Sequence, residues 1–286
     1  MAEIADSGRR RPDNMTLAML RCGLAALVTL AAGGALAADI AAPQRQVYTA
    51  PERLYDIVFE LGGGVEYRPA YEGASKYEVS PEVFGDLHFL WLPGFGVVKD
   101  QRLSPGFSFS PSFRYVLERK SQDYSQIAGL NDIDAAFELG GKVGYRFGAF
   151  NVFAALRHGF GGHDGLIGEA GLDYTFRPTA VTEISIGPRV SYANDDYMRT
   201  YFGVTPLESA LSNLRAYDPG GGLKGYGFEI SGRYEFTPVW TLVGSLAYEK
   251  LAGDAADSPI VQVGDENQFT AKLGLTYKFA LKLFGN

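Results

Sequence analysis

Three histidines stand among the residues that could do chemistry: His88, His158 and His163. Two of them share the stretch Arg157 to Gly165 (RHGFGGHDG) with Asp164. A metal site or a hydrolase would use such a cluster, and the hydrolase would need a Ser nucleophile within hydrogen-bond reach of the His. The stretch holds no Ser or Cys, and Gly159, Gly161, Gly162 and Gly165 give it the make-up of a tight hairpin tip, so we read it as a turn. Asp254, Asp257, Asp265 and Glu266 form a second cluster. Carboxylates of this kind hold Ca²⁺, but the spacing matches no cation loop, and solvated loop acids account for it. We therefore expect no catalytic residue, no metal ligand and no cofactor.

A third set is larger and more regular. Glu60, Glu66, Arg68, Arg114, Glu138, Lys142, Arg146, Glu169, Asp173, Arg177, Arg189, Glu229 and Arg233 recur on alternate positions between apolar residues. Period two over 12–14 residues is a strand pattern, not a helical one. Both signs occur in mid-strand, which predicts ion pairing if all of them face one enclosed space. Strand adjacency suggests Arg146 with Glu169 as one such pair.

The elements that must position these charges follow from the alternation. Ten segments fit, near 55–68, 77–91, 105–118, 132–147, 150–160, 164–177, 180–193, 222–236, 239–251 and 267–279. The link Leu92 to Ser104 is a long turn or an extra short strand, so twelve is the alternative count. Short turns follow the fourth, sixth and eighth segments; long links follow the third, seventh and ninth. That asymmetry is the pattern of an outer-membrane barrel with its short turns in the periplasm. The apolar rows end in Tyr67, Trp91, Tyr115, Phe147, Phe176, Tyr192, Phe236, Trp240, Tyr248 and Phe279, as membrane interfaces favour. In a soluble barrel the apolar row would point in; here it is expected to point out, at outer-membrane lipids. The fold expected is an all-β, transmembrane, antiparallel up-and-down barrel. One external loop should carry a short helix over Val204 to Leu214, with Thr205 as cap, Pro206 in the first turn and Glu208 completing a capping box. Its apolar face would be Leu207, Ala210, Leu211 and Leu214. A barrel of ten strands is narrow, so a bridged lumen is favoured over an open pore.

The N-terminus reads as an export signal. Arg9, Arg10, Arg11 and Arg21 supply positive charge, and the apolar run Cys22 to Ala37 ends in Ala35-Leu36-Ala37, which places cleavage between Ala37 and Ala38. The run is shorter than the roughly 20 residues of a spanning helix. Met15 is an alternative start. The domain plan is thus a signal at 1–37, a periplasmic leader at 38–54, the barrel at 55–279 and a short tail at 280–286. The only cysteine is Cys22, so the mature chain is expected to hold no disulfide. A formal net charge of −7 argues against nucleic acid as a partner.

The last segment, DENQFTAKLGLTYKF, resembles the assembly signal of outer-membrane barrels in Lys272, Gly274, Tyr277 and Phe279, which implies the barrel-assembly machinery as a partner. Ala280 to Asn286 follows it, where many barrels stop at the aromatic. RPAYEGA (Arg68 to Ala74), GLNDIDAAFELG (Gly129 to Gly140), TYFGVTP (Thr200 to Pro206) and LAGDAADSPIV (Leu251 to Val261), in this order, resemble the MipA/OmpV family of outer-membrane proteins. The resemblance covers Tyr55 to Phe279. It implies a non-enzymatic scaffold for murein synthesis, an adaptor between a lytic transglycosylase and a murein synthase. Other members are described as porins or adhesins, so a small-solute channel and a surface adhesin or receptor stay open. Residue types do not choose between these roles.

Overall fold

A computed structural model describes residues 54–100 and 106–284. The expectations for the signal, for the cleavage pair Ala37 and Ala38 and for nearly all of the leader fall outside the described residues. Eleven strands form one antiparallel sheet: β1 (Ile57–Pro69), β2 (Tyr77–Leu92), β3 (Gly96–Asp100), β4 (Gly106–Val116), β5 (Ala136–Phe147), β6 (Phe150–Gly161), β7 (Leu166–Thr179), β8 (Thr182–Ala193), β9 (Gly222–Glu235), β10 (Trp240–Leu251) and β11 (Asn267–Leu281). Each hydrogen-bonds to its neighbours in the order β3-β2-β1-β11-β10-β9-β8-β7-β6-β5-β4. The first and last long strands pair from Ile57↔Leu281 to Tyr67↔Ala271, so the sheet curls into a barrel-like, up-and-down wall.

The count is neither ten nor twelve. The difference is β3, five residues in the 92–104 link that pair with Phe89 to Leu92. Since β3 and β4 both run antiparallel to their own neighbours, both point from the turn end to the loop end. The ten longer strands therefore alternate in direction, and β3 is an addition at the base of β2. Two boundaries also move: Asp132 to Ala135 is loop rather than strand, and β11 runs on through Ala280 and Leu281. Beyond it the backbone N–H groups of Leu283 and Phe284 both donate to Asp56, which ties the tail to the start of β1.

The two rows of each strand separate as alternation requires. On β11 Leu275 is 45% exposed, whereas its neighbour Thr276 is 2% exposed. The same holds for Phe109, Val143 and Phe228 on the outer row. Most large apolar side chains of the wall are thus outside and the charges inside, with Phe84 and Phe153 the inner-row exceptions among them.

The buried apolar residues gather above the wall, in the loops. Asn194 caps helix α1 (Asp195–Phe202) by accepting from the Tyr197 N–H, and α1 buries Tyr197, Met198, Tyr201 and Phe202 against Ile133, Ile167, Ala193 and Leu251. Helix α2 (Pro206–Leu211), helix α3 (Gly253–Ala256) and helix α4 (Pro259–Gln262) complete the layer. A second cluster joins Ala70, Tyr71, Ile127, Val204, Leu214 and Ile260 from four loops. The Ser258 hydroxyl donates to the Phe202 carbonyl at 2.6 Å and the Asp265 N–H to the Gly73 carbonyl at 2.9 Å, fastening loops far apart in sequence. A membrane barrel has no need of a dry interior; here the dry core sits across its mouth.

The expected single loop helix needs correction. The capping box of Thr205 and Glu208 is present. The apolar face is not buried: Leu207 and Leu211 are 67% and 68% exposed. The helix stops at Leu211, so Leu214 lies beyond it, and the covered side carries Glu208. Its carboxylate accepts the Asn131 N–H at 2.8 Å and the Thr205 N–H at 2.8 Å. Four short helices, not one, build the cap.

Candidate functional site

The inner rows bring most of the sequence-predicted charges together in clusters. At the turn end Glu60 is fully buried, with the Arg233 guanidinium at 2.7 Å, His88 Nε2 at 3.0 Å, Lys278 Nζ at 3.7 Å and the Thr276 hydroxyl donating at 2.9 Å. Nearer the loops Lys272 bridges Glu66 and Glu82, and Arg68 joins Glu66 at 3.5 Å to Glu78 at 3.1 Å. On β5 Glu138, also fully buried, holds Arg114 at 2.6 Å and Arg157 at 3.0 Å. Arg157 reaches Glu169, and Arg189 lies among Asp173 at 2.6 Å, Glu169 at 3.8 Å and Glu229 at 3.7 Å. Arg177 pairs with Glu183 near the turn end, where both are partly exposed.

Two members stand apart. Lys142 lies 3.7 Å from the Phe153 ring centre instead of on a carboxylate. Such a contact is worth about 0.5–2 kcal/mol. The pairing of Arg146 with Glu169 does not occur. Arg146 is level with Asn151, and Glu169 is taken by Arg157 and Arg189. The register separates the two: Arg146 is level with Asn151 and Asp173, and Glu169 with Ala155 and Lys142.

His163 fills a role the turn reading missed. Its side chain is buried, Nδ1 accepts the Gly165 N–H at 3.2 Å, and Nε2 faces Glu138 at 3.5 Å. The ring stands edge-on to Tyr197 and Tyr201. Gly159 is needed there, because a Cβ on it would lie 2.1 Å from the ring. His158 points away, with Asp164 at 3.4 Å, so the two histidines share no site. The acidic cluster is dispersed too. Asp254 accepts the Gly220 N–H, Asp265 accepts from Asn267, and Glu266 pairs with Lys250. Among the described residues no group of three potential ligands could hold a metal ion.

The cap is anchored to the lumen by a chain of polar contacts. The Tyr197 hydroxyl donates to Glu72 at 3.0 Å and accepts from Arg114 at 3.3 Å. Lys224 bridges Glu72 at 3.1 Å to Glu249 at 2.8 Å, and Ser191 donates to Glu249. Strict alternation would place Lys224 on the lipid row with Tyr226 and Phe228. A bulge opposite Ser191 and Tyr192 turns it inward instead.

Glu72 lies in the loop after β1, outside the wall. Burial raises its carboxyl, but Lys224 and Arg114 outweigh burial and hold the group below its ordinary value of 4.5. A depressed carboxyl stabilises the fold fully above its unfolded value, and that contribution is lost as pH falls through the folded one. The cap is therefore expected to loosen as pH drops below about 4.5. Limited proteolysis of the 194–221 loop should speed up there, and Glu72→Gln should cut faster already at neutral pH. Cutting that ignores both would contradict the anchor.

Gly274 faces inward, where its missing side chain makes room for Phe84. Tyr277 and Phe279 lie on the outer row with ring centres 4.9 Å apart; Trp240 stands edge-on to Tyr277, and Phe59 stacks on Phe279.

An antiparallel up-and-down wall, apolar outside and ion-paired inside, with short turns at one end and packed loops at the other, defines an outer-membrane β-barrel protein. The model of the family described as MltA-interacting protein MipA matches residues 61–279, and the chain belongs to that family. It is 28% identical over 144 residues to the MltA-interacting protein of Escherichia coli (strain K12), covering 48% of this chain and 56% of that one. It is 33% identical over 90 residues to the outer membrane protein OmpV of Vibrio cholerae, covering 32% and 34%. The chain thus spans about half the length of the first relative and about a third of the second. Among solved structures, the N-terminal β-barrel domain of Pseudomonas aeruginosa OprF is similar over 79% of this chain and 98% of its own, at 10% identity and a TM-score of 0.29.

Proposed function

We propose that the protein is a non-catalytic scaffold of the outer membrane that holds a murein-cleaving transglycosylase, and with it a murein synthase, at the periplasmic face. The name of the E. coli relative supports the first partner. The observation that carries the reading is the filled lumen under a packed cap: a barrel bridged inside by Glu60 and Glu138 is built to be an anchor more than a passage. Short turns face the periplasm in barrels of this kind. At that end Phe95, in the turn between β2 and β3, is 85% exposed. Photo-crosslinkers at Phe95 and within residues 38–54 should recover the two enzymes from intact cells, and one at Leu211 on the loop end should not. Recovery of neither enzyme from any turn-end position would contradict the proposal. A small-solute channel is the second reading, favoured by Arg146, which pairs with no carboxylate among the described residues.

A further inference from the structure

We infer that the wall carries a built-in opening line between β2 and β4, away from its termini. Barrels commonly close between their first and last strands, and here that junction is complete through eleven consecutive register pairs. The incomplete junction is internal. On the side of β2 away from β1, only Phe89 to Leu92 have a strand partner, the short β3. β4 pairs with β5 along its length, and among the described residues its other edge pairs with none. The two free edges are nonetheless neighbours. The Phe113 ring of β4 comes within 3.3 Å of where a Cβ on Gly85 of β2 would stand. The strands are antiparallel, as a closed ladder would need.

An independent feature of the sequence agrees. Proline has no N–H to give a ladder and is confined to unpaired strand edges and bulges. β2 carries Pro81 and β4 carries Pro111; Pro188 of β8 likewise falls where the β7–β8 pairing is interrupted, but there both flanks of the strand are paired again within a residue or two. Free backbone groups are tolerated at membrane depth only where they line a watery cavity. The inner side of this line supplies one, through Ser108, Ser110, Ser112 and Ser80. Its outer side is closed by Phe113 lying over Gly85, a side-chain contact in place of a hydrogen-bonded ladder. The wall should part there first.

The test compares two disulfides in a Cys22→Ser background. Gly85→Cys with Phe113→Cys spans the line, and Gly232→Cys with Gly244→Cys spans a directly paired position between β9 and β10. Both pairs lie on the outer row. Oxidation across β2 and β4 should slow unfolding in denaturant about tenfold or more, and oxidation across β9 and β10 about twofold or less, because only the first link ties strands that separate before the barrier. Equal slowing would overturn the inference, and where the β2–β4 cysteines stand too far apart to bond, hydrogen exchange decides it. Hydrogen exchange of the unmodified protein in lipid nanodiscs gives a second readout. Within 79–88 and 107–116, the alternate amides that point away from β1 and β5 should exchange at least about 100-fold faster than the amides of β9 and β10. Equal protection would overturn it as well.

Discussion

Glu138→Ala should lower the stability of the folded barrel by about 3–5 kcal/mol, because it leaves the buried Arg157 guanidinium and the partly covered Arg114 without their common partner. Glu138 is fully buried, Arg157 nearly so, and Arg114 about a third exposed, and His163 also rests against the carboxylate. Much of the loss is the cost of stranded charge, not the net worth of the pair. Glu183→Ala is the control. It removes an ion pair of the same chemistry in which both partners are partly open to water, and it should cost at most about 1 kcal/mol. Urea unfolding of both variants in lipid vesicles, followed by gel mobility, would read the difference. Equal costs would mean that the inner row is as wet as the rim.

The second large effect concerns the outer row. Phe109→Arg should cost about 2–4 kcal/mol, the penalty for a cation facing lipid near mid-membrane. Ser108→Arg, one residue away, should cost no more than about 1 kcal/mol. Ser108 faces inward, where its hydroxyl would meet a Cβ placed on Gly144, so the new side chain has the gap opposite Gly144 to enter. Repulsion from Lys142 and Arg146 is softened by water in the lumen. Yields of folded protein from parallel refolding would rank the two. Tolerance of Phe109→Arg with failure of Ser108→Arg would turn the wall inside out. Leu275 and Thr276 make a poorer pair for this test. Alternation puts Thr276 on the wet row, yet it is 2% exposed and bonded to Glu60, so an Arg would fail there for lack of space.

Thr276 marks the limit of what period two can say. Alternation gives the face of a residue but not whether that face meets water or another side chain. The ten long strands were legible because lipid outside and charge inside force a period of two on each. β3 was only half legible, since five residues seldom establish a period. Lys224 was not legible, because a bulge breaks the alternation that would place it. Arg146 and Glu169 were set apart by the β5–β6–β7 register, which brings Arg146 level with Asp173, and Glu169 is held by Arg157 and Arg189 on the strands beside it. In the cap, Asn194 followed by Tyr197, Met198, Tyr201 and Phe202 did carry a helical signal, a cap and apolar residues at i, i+1, i+4 and i+5. It was masked by the stronger capping box a few residues later. His163 was hidden by its glycines, which serve less as turn formers than as space for its ring.

The proposed anchor role requires that the bridged, capped lumen pass no ions. Steady current through the unmodified protein in a planar lipid bilayer tests it most directly. None is expected above the bare membrane at neutral pH, because Glu60, Glu138, Arg189 and Lys224 hold the lumen crossed and the loop layer covers its mouth. Stable, repeated conductance steps from that protein would contradict it and make the channel the better reading.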